Sequence, residues 1–394
     1  MTDRHIPALD GLRGLAVLGV IILHYWMAGA ETPLDQVVQF AVGAGWIGVD
    51  LFFVLSGFLI TGILLDSKGR PGYFRVFYAR RILRIFPLYF TVLAVLLVIL
   101  PTLGLDVFLQ DPHAIAAGLW PWFFLTNILM SVTGNNPTLG IQVSWSLSVE
   151  EQFYLLWPAI LLLCSRRRLL TLCTLMIVGV PVMRALLLLG GVAPVAIYVL
   201  APTRMDALAV GGLLAVLLRT GWRPADWCRQ ASCLALASVG GLVSLGLVSD
   251  GMHNLQPVVQ VAGYSAAAVF SGALLVLAIA GPSSSRLSGI LHNRLLRTVG
   301  RYSYAMYLLH VIVRDLLVKF VLTEGRRPLI LGSVVPLEIA FTCAGIALTL
   351  ALAWLSWRVI ERPCLQRKGL FVYGDRSRPV CLHPPRIRRL ARVA

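Results

Sequence analysis

Apolar residues in this chain fall in blocks of about twenty, the length a helix needs to cross a ~30 Å hydrocarbon core. The blocks lie near 11–29, 42–65, 86–104, 149–164, 169–190, 195–218, 232–249, 257–281, 302–321 and 331–356, and each predicts a spanning helix. A further apolar piece, 114–132, contains Trp120, Pro121 and Trp122 and runs into the polar Gly/Asn/Pro stretch 133–140. No polar segment is long enough to fold as a soluble domain; the longest, 362–394, is a basic, Pro-containing tail. The pattern predicts an all-α polytopic membrane protein, with a transmembrane domain over 1–361 and a tail over 362–394. The first block contains Arg13 and His24 and lacks a small-residue cleavage site, so it does not look like a signal peptide.

Charge decides how such a chain is threaded. Basic clusters occupy 66–84 (Lys68, Arg70, Arg75, Arg80, Arg81, Arg84), Arg166–Arg168, 219–230, 282–301 and the tail after Glu361. The intervening loops carry mostly acids: Glu31, Asp35, Asp106, Asp111 and Asp250, with Arg326 and Arg327 as the exception. If 114–132 crossed the membrane, every basic loop from Arg166 onward would face outward. If it re-enters or lies at the interface, nearly all of them are cytoplasmic, where positive charge concentrates. The expectation is therefore about ten transmembrane helices, one re-entrant or interfacial helix at 114–132, and both termini in the cytoplasm.

Composition agrees. Of 394 residues, 58% are hydrophobic and 13% charged, against about 25% charged in soluble proteins; the mean hydropathy is +0.81. A net charge of +16 would suggest nucleic acid in a soluble chain. Here cytoplasmic loops account for it, and the expected partner is the lipid bilayer, not nucleic acid. The seven cysteines form no CxxC pair and several lie inside apolar runs, so neither structural disulfides nor a metal site is expected.

Ionisable residues inside the spans carry the candidate chemistry, because a charge at the bilayer centre costs about 2.5–3.5 kcal/mol on insertion scales. In ALDGLRGLAVLGVIILHY, Asp10, Arg13 and His24 fall on one helical stripe, with His24 about 16 Å beyond Arg13. Asp50, in GWIGVDLFFVLSGFLITG, has a depth comparable to His24 and could orient it or form a structural pair. Ser56 and Gly57 in the same block allow close helix packing. Arg80, Arg81 and Arg84, in FYARRILRIFPLYF, project close together at the cytoplasmic boundary, as an anchor for lipid phosphates or a fork for a phosphorylated ligand. Of Glu150 and Glu151, in WSLSVEEQFYLLWP, one must face the interior; Trp145, Tyr154 and Trp157 fit an aromatic belt or a sugar-stacking surface. Arg204 and Asp206 are close enough to pair, and His310, mid-span in SYAMYLLH, reads as a satisfied core residue.

In order along the chain, LDGLRGLAVLGVIILHY, GVDLFFVLSGFLITG, RRILRIFPLYF, WSLSVEEQFYLLWP, RMDALAVGGLLA, SYAMYLLH and VIERP resemble the acyltransferase-3 family of bacterial membrane O-acyltransferases over residues 6–363. The resemblance is to the stand-alone kind, without a fused esterase-like domain. It implies a multi-pass enzyme of the bacterial inner membrane that moves an acyl group, often acetyl, from acyl-CoA to a hydroxyl. The acceptors it implies are glycans, lipid-linked saccharides or macrolide sugars. By position, Arg13 and His24 match the family's essential first-span pair, and Arg81 and Arg84 its RxxR motif, associated with the donor. Nothing else is expected to be bound permanently; acetyl-CoA is a co-substrate.

These expectations combine into one mechanism. Acyl-CoA approaches from the cytoplasm and its phosphates meet Arg81, Arg84 and Arg80, with Arg13 at the entrance. His24 acts as general base on an acceptor hydroxyl arriving from the outer side, or forms a transient acyl-imidazole. Asp50 or Glu150 sets its tautomer. Asp10, Ser56, Glu151, Tyr154 and Arg204 are candidate acceptor contacts. The competing class is a glycan or small-anion transporter, which buried Arg, His and Asp would also suit; against it stand the missing inverted repeat and the confinement of the arginine cluster to the inner face.

Overall fold

Two glycines fix the centre of the bundle. Gly57 packs on the backbone of Leu208, and Gly211 on that of Val54, so closely that a Cβ at either position would collide with the facing carbonyl. The computed structural model describes residues 6–27, 32–104, 118–134, 140–249, 251–282, 284–321 and 333–374. In chain order its helices are α1 (Pro7–Tyr25), α2 (Pro33–Gly43), α3 (Ile47–Ser67), α4 (Tyr73–Ala94, prolonged to Thr102), α5 (Leu119–Trp122), α6 (Thr126–Thr133), α7 (Ser144–Leu163) and α8 (Arg166–Leu189). They continue with α9 (Pro194–Val199), α10 (Met205–Leu217), α11 (Cys228–Val248), α12 (Tyr264–Ala280), α13 (Arg286–Leu291), α14 (Arg294–Arg301), α15 (Ser303–Val321) and α16 (Val335–Ser356, prolonged to Gln366). Several starts are written in the sequence as side-chain caps: Thr32 and Asp35 form a capping box on α2, while Ser165, Ser285 and Asn293 cap α8, α13 and α14.

Large apolar side chains cover the outside of the bundle. Leu175, Leu186 and Leu189 on α8 and Leu236, Leu247 and Val248 on α11 are exposed, an arrangement that suits hydrocarbon rather than water. Among the described residues, seven helices are long and apolar enough to cross a membrane. Three expected spans are not in that set, and each has a visible reason. Five hydroxyl, amide or acidic residues besides Glu150 dilute the first half of α7 (Ser144, Ser146, Ser148, Glu151, Gln152). The run 195–218 breaks at Leu200–Arg204 into α9 and α10. Helix α15 carries Arg314, Asp315 and Lys319.

The 114–132 piece, of which 114–117 lie outside the described residues, contains only α5 and α6, of 4 and 8 residues. Between them Phe124 takes a left-handed φ of 55°, and the Tyr89 hydroxyl donates to the Pro121 carbonyl at 2.8 Å. Neither helix approaches the ~20 residues a crossing needs.

Contacts between helix ends sort the loops. Helices α3 and α10 run parallel, since Asp50 meets Arg204 near their starts and Asp66 meets Arg219 near their ends. At that second end Lys68 Nζ donates to the last carbonyls of α7, Leu161 and Cys164, both at 2.7 Å. Arg166 donates to Arg219 O at 2.9 Å, Arg80 Nε to Phe371 O at 3.0 Å, and Gly374 N to Pro71 O at 3.1 Å. The start of α1 packs on Gly300, and Tyr302 meets Trp357 in the prolongation of α16 at a ring distance of 6.1 Å. At the opposite end Asp35, expected in an acidic loop, is buried and accepts from Ser333, and Glu338 accepts from Met27 N. Glu31, Asp106, Asp111, Asp250, Arg326 and Arg327 lie outside the described residues, as does the tail beyond Gly374.

Candidate functional site

Helices α1, α3, α4, α7 and α15 enclose a cavity of about 110 Å³. Its basic side is made by Arg13 from α1 and by Arg81 and Arg84 from α4, which the i,i+3 spacing places on one face. Its acidic group is Glu150 from α7, held by hydroxyls: Oε1 accepts from Ser56 at 2.6 Å and Oε2 from Tyr154 at 2.8 Å. Glu150 and Tyr154 are one helical turn apart, so the same face of α7 supplies both. The Arg81 guanidinium stands over the Tyr154 ring, 5.9 Å from its centre. Six residues expected from the sequence to act on substrate or donor (Arg13, Ser56, Arg81, Arg84, Glu150, Tyr154) thus share one space.

Aromatic rings close the far side. Phe52 and Tyr307 line the cavity and meet edge to face at 5.9 Å. The Tyr307 hydroxyl pairs with Ser146 at 2.6 Å. His24 does not line the cavity; it is linked to it through His310, whose ring lies 5.7 Å from that of Tyr307. Its Nδ1 is 3.0 Å from Nε2 of His310, which is fully buried, and Nδ1 of His310 is 2.7 Å from the Tyr307 carbonyl. Tyr25, the next residue on α1, donates its hydroxyl to the backbone carbonyl of His310 at 3.0 Å. Consecutive residues of α1 therefore grip one residue of α15, which fixes the register of the two helices. Arg314, one turn beyond, reaches the His24 carbonyl at 3.4 Å and forks onto Asp315 at 2.8 and 2.6 Å.

Other expected residues go elsewhere. Asp50 does not reach His24: both its oxygens accept from Arg204 Nη2 at 2.9 Å, and the pair is buried. Arg204 in turn does not pair with Asp206, which binds Arg184 at 2.8 Å and Ser265 at 3.0 Å. A two-residue offset on a helix points the side chains of Arg204 and Asp206 apart, so each finds a partner on another helix. Arg80 leaves the fork and holds Phe371 O, with its guanidinium over Tyr373. Glu151 faces a separate groove of about 280 Å³ between α4, α7 and the α5–α6 segment, which shares Arg81 and Tyr154 with the cavity. Asp10 sits one turn before Arg13, its carbonyl against Gly300. Trp145, Tyr154 and Trp157 are buried rather than arranged as a surface belt, and Trp157 Nε1 donates to Thr61 at 2.8 Å.

His310, Tyr307 and Arg314 are the groups that sequence reasoning passed over. A signal existed: His24 and His310 are the two histidines inside the long apolar blocks, and buried histidines in separate spans are candidates to meet. Among the described residues, no group of three or more His, Cys, Asp or Glu side chains could hold a metal ion.

A family model for an acyltransferase domain matches residues 6–358. A relative named "Putative peptidoglycan O-acetyltransferase YrhL", from Bacillus subtilis, is 30% identical over 96% of this chain and 57% of its own length. Peptidoglycan O-acetyltransferase OatA of Listeria monocytogenes is 29% identical over 94% of this chain and 57% of its own length. The chain thus spans a little over half the length of these relatives. No solved structure matches.

Proposed function

Because the chain belongs to the acyltransferase-3 family, we propose that it is a membrane O-acyltransferase that carries an acetyl group from cytoplasmic acetyl-CoA to a hydroxyl of a cell-wall glycan of the peptidoglycan class. Ten crossings of the bacterial inner membrane with both termini inside put the basic end of the bundle, where Lys68, Arg166 and Arg219 converge, in the cytoplasm. The observation that carries the reading is the convergence of Arg13, Arg81 and Arg84 on one cavity, whose wall includes Tyr307, the residue whose carbonyl meets His310, the partner of His24.

In this reading the arginines bind the phosphates of the donor, whose geometry suits guanidinium forks. The pantetheine arm lies along the cavity past Ser56, Glu150 and Tyr154. Glu150 keeps the two hydroxyls aimed inward. Phe52 and Tyr307 swing aside so that the thioester carbonyl comes within reach of the acceptor hydroxyl at His24. His24 takes the hydroxyl proton as the oxygen attacks the carbonyl carbon. The tetrahedral adduct then expels the CoA thiolate, which takes up the proton, and the ester is left on the glycan. Asp50 and Arg204 brace the helices that form the walls.

The test uses wild type and His24→Ala reconstituted in nanodiscs, with labelled acetyl-CoA and soluble peptidoglycan fragments as acceptor. Transfer falls by about 10²–10⁴-fold in the variant, with melting unchanged. Undiminished transfer would remove His24 from the chemistry. In sealed proteoliposomes the enzyme releases CoA in step with ester formation, whereas a transporter moves glycan and consumes no acetyl-CoA.

A further inference from the structure

A base must present a lone pair, and a neutral imidazole has one lone-pair nitrogen and one N–H. Which nitrogen of His24 is which follows from the contacts of its partner. The Tyr307 carbonyl can only accept, so His310 Nδ1, 2.7 Å away, must carry a proton. An imidazolium at His310 would be a fully buried cation one turn from Arg314, and its ring faces the backbone carbonyls of Tyr307 and Met306 and another imidazole rather than a carboxylate. His310 is therefore neutral, and its Nε2 is an acceptor. The contact at 3.0 Å then requires His24 Nδ1 to donate.

From this geometry we infer that His310 is a positioning residue that fixes the His24 proton on Nδ1 and leaves His24 Nε2 as the nitrogen that takes the acceptor proton. It does for His24 what a carboxylate does in many hydrolytic triads, without bringing a charge into the membrane. The inference rests on the assignment of His24 as the base. Two features make the constraint tight. His310 cannot turn its ring over without losing the Tyr307 carbonyl, and its backbone is held by the Tyr25 hydroxyl, itself paired with Thr349 at 3.1 Å. When His24 becomes an imidazolium, Nδ1–H keeps its acceptor, so the charged intermediate needs no rearrangement of the pair.

The readout is the ¹⁵N spectrum of histidine-labelled protein in nanodiscs, with the His24 signals identified by their loss in His24→Ala. Wild type shows His24 protonated at Nδ1 and unprotonated at Nε2. In His310→Leu the imidazole acceptor is gone and the ring keeps only the Val20 carbonyl one turn back on α1, so part of the proton population moves to Nε2; kcat falls about 10²-fold while KM for acetyl-CoA stays within about twofold of wild type. His310→Gln, whose amide oxygen can accept from Nδ1–H, restores the Nδ1 tautomer and most of the turnover. A wild-type His24 protonated at Nε2 overturns the inference, as does a His310→Leu enzyme with unchanged tautomer or unchanged kcat. If His310→Leu does not fold, the wild-type spectrum alone decides. The tautomer is read without turnover, so full activity of His24→Ala would sink the assignment of the base and leave the tautomer result standing.

Discussion

Two sets of buried charges share this bundle, and they are built in opposite ways. In the set between α3, α8, α10 and α12, every cation is closed off. Arg204 meets both oxygens of Asp50 and lies 3.9 Å from the centre of the Tyr264 ring, and Arg184 meets Asp206, Ser265 and the Thr203 carbonyl. The four side chains are no more than about 3% exposed. In the set between α1, α4 and α7, three arginines border a hollow, and the nearby Glu150 is engaged by hydroxyls. The first set joins four helices through carboxylate–guanidinium pairs. The second spends stability on an electropositive hollow, an arrangement that is useful only if something anionic fills it.

That contrast can be broken or sharpened by mutation. The largest effect is expected in the closed set. Asp50→Ala leaves Arg204 buried without its carboxylate and lowers stability by about 3–5 kcal/mol, read as a drop in Tm in detergent. The double variant Asp50→Leu with Arg204→Met, which removes both charges, recovers most of that loss. Wild-type melting together with lost transfer in Asp50→Ala would move Asp50 into the chemistry. In the open set, Arg81→Ala should leave Tm unchanged and raise the KM for acetyl-CoA by the ~1.5–3 kcal/mol of a lost charged hydrogen bond, about ten- to hundredfold. An unaltered KM would mean the donor is held elsewhere. Smallest is Ser56→Ala, which removes one hydroxyl from Glu150 and lowers turnover by about two- to tenfold, the worth of one hydrogen bond at ~0.5–1.5 kcal/mol. A larger loss would make Ser56 a direct participant.

Much of the fold was legible because twenty apolar residues in a row have few other uses, and helix starts such as Thr32 and Ser165 carry their own caps. The same hydropathy signal fades in α7 and α15, whose polar residues include those that line the cavity and hold the histidine pair, and it is interrupted in α9–α10 by the break at Leu200–Arg204. Arg13, Arg81 and Arg84 could be read from position and spacing, since i,i+3 neighbours share a face. Partnerships across helices could not. Asp50 and Arg204 are separated by 154 residues, and His24 and His310 by 286, and no local pattern encodes which face of one span meets which face of another. For that reason Asp50 looked like a partner for His24, and His310 looked like filler.

The edge-to-face rings of Phe52 and Tyr307 have a consequence for the cell as a whole. An enzyme fed from both faces of a membrane is one opening away from being a pore. A continuous file of water from Arg84 to His24 would conduct protons and drain the potential on which the cell runs. On the proposed reading, the edge-to-face rings partition the two compartments at rest and keep the bundle electrically tight until the arriving donor parts them.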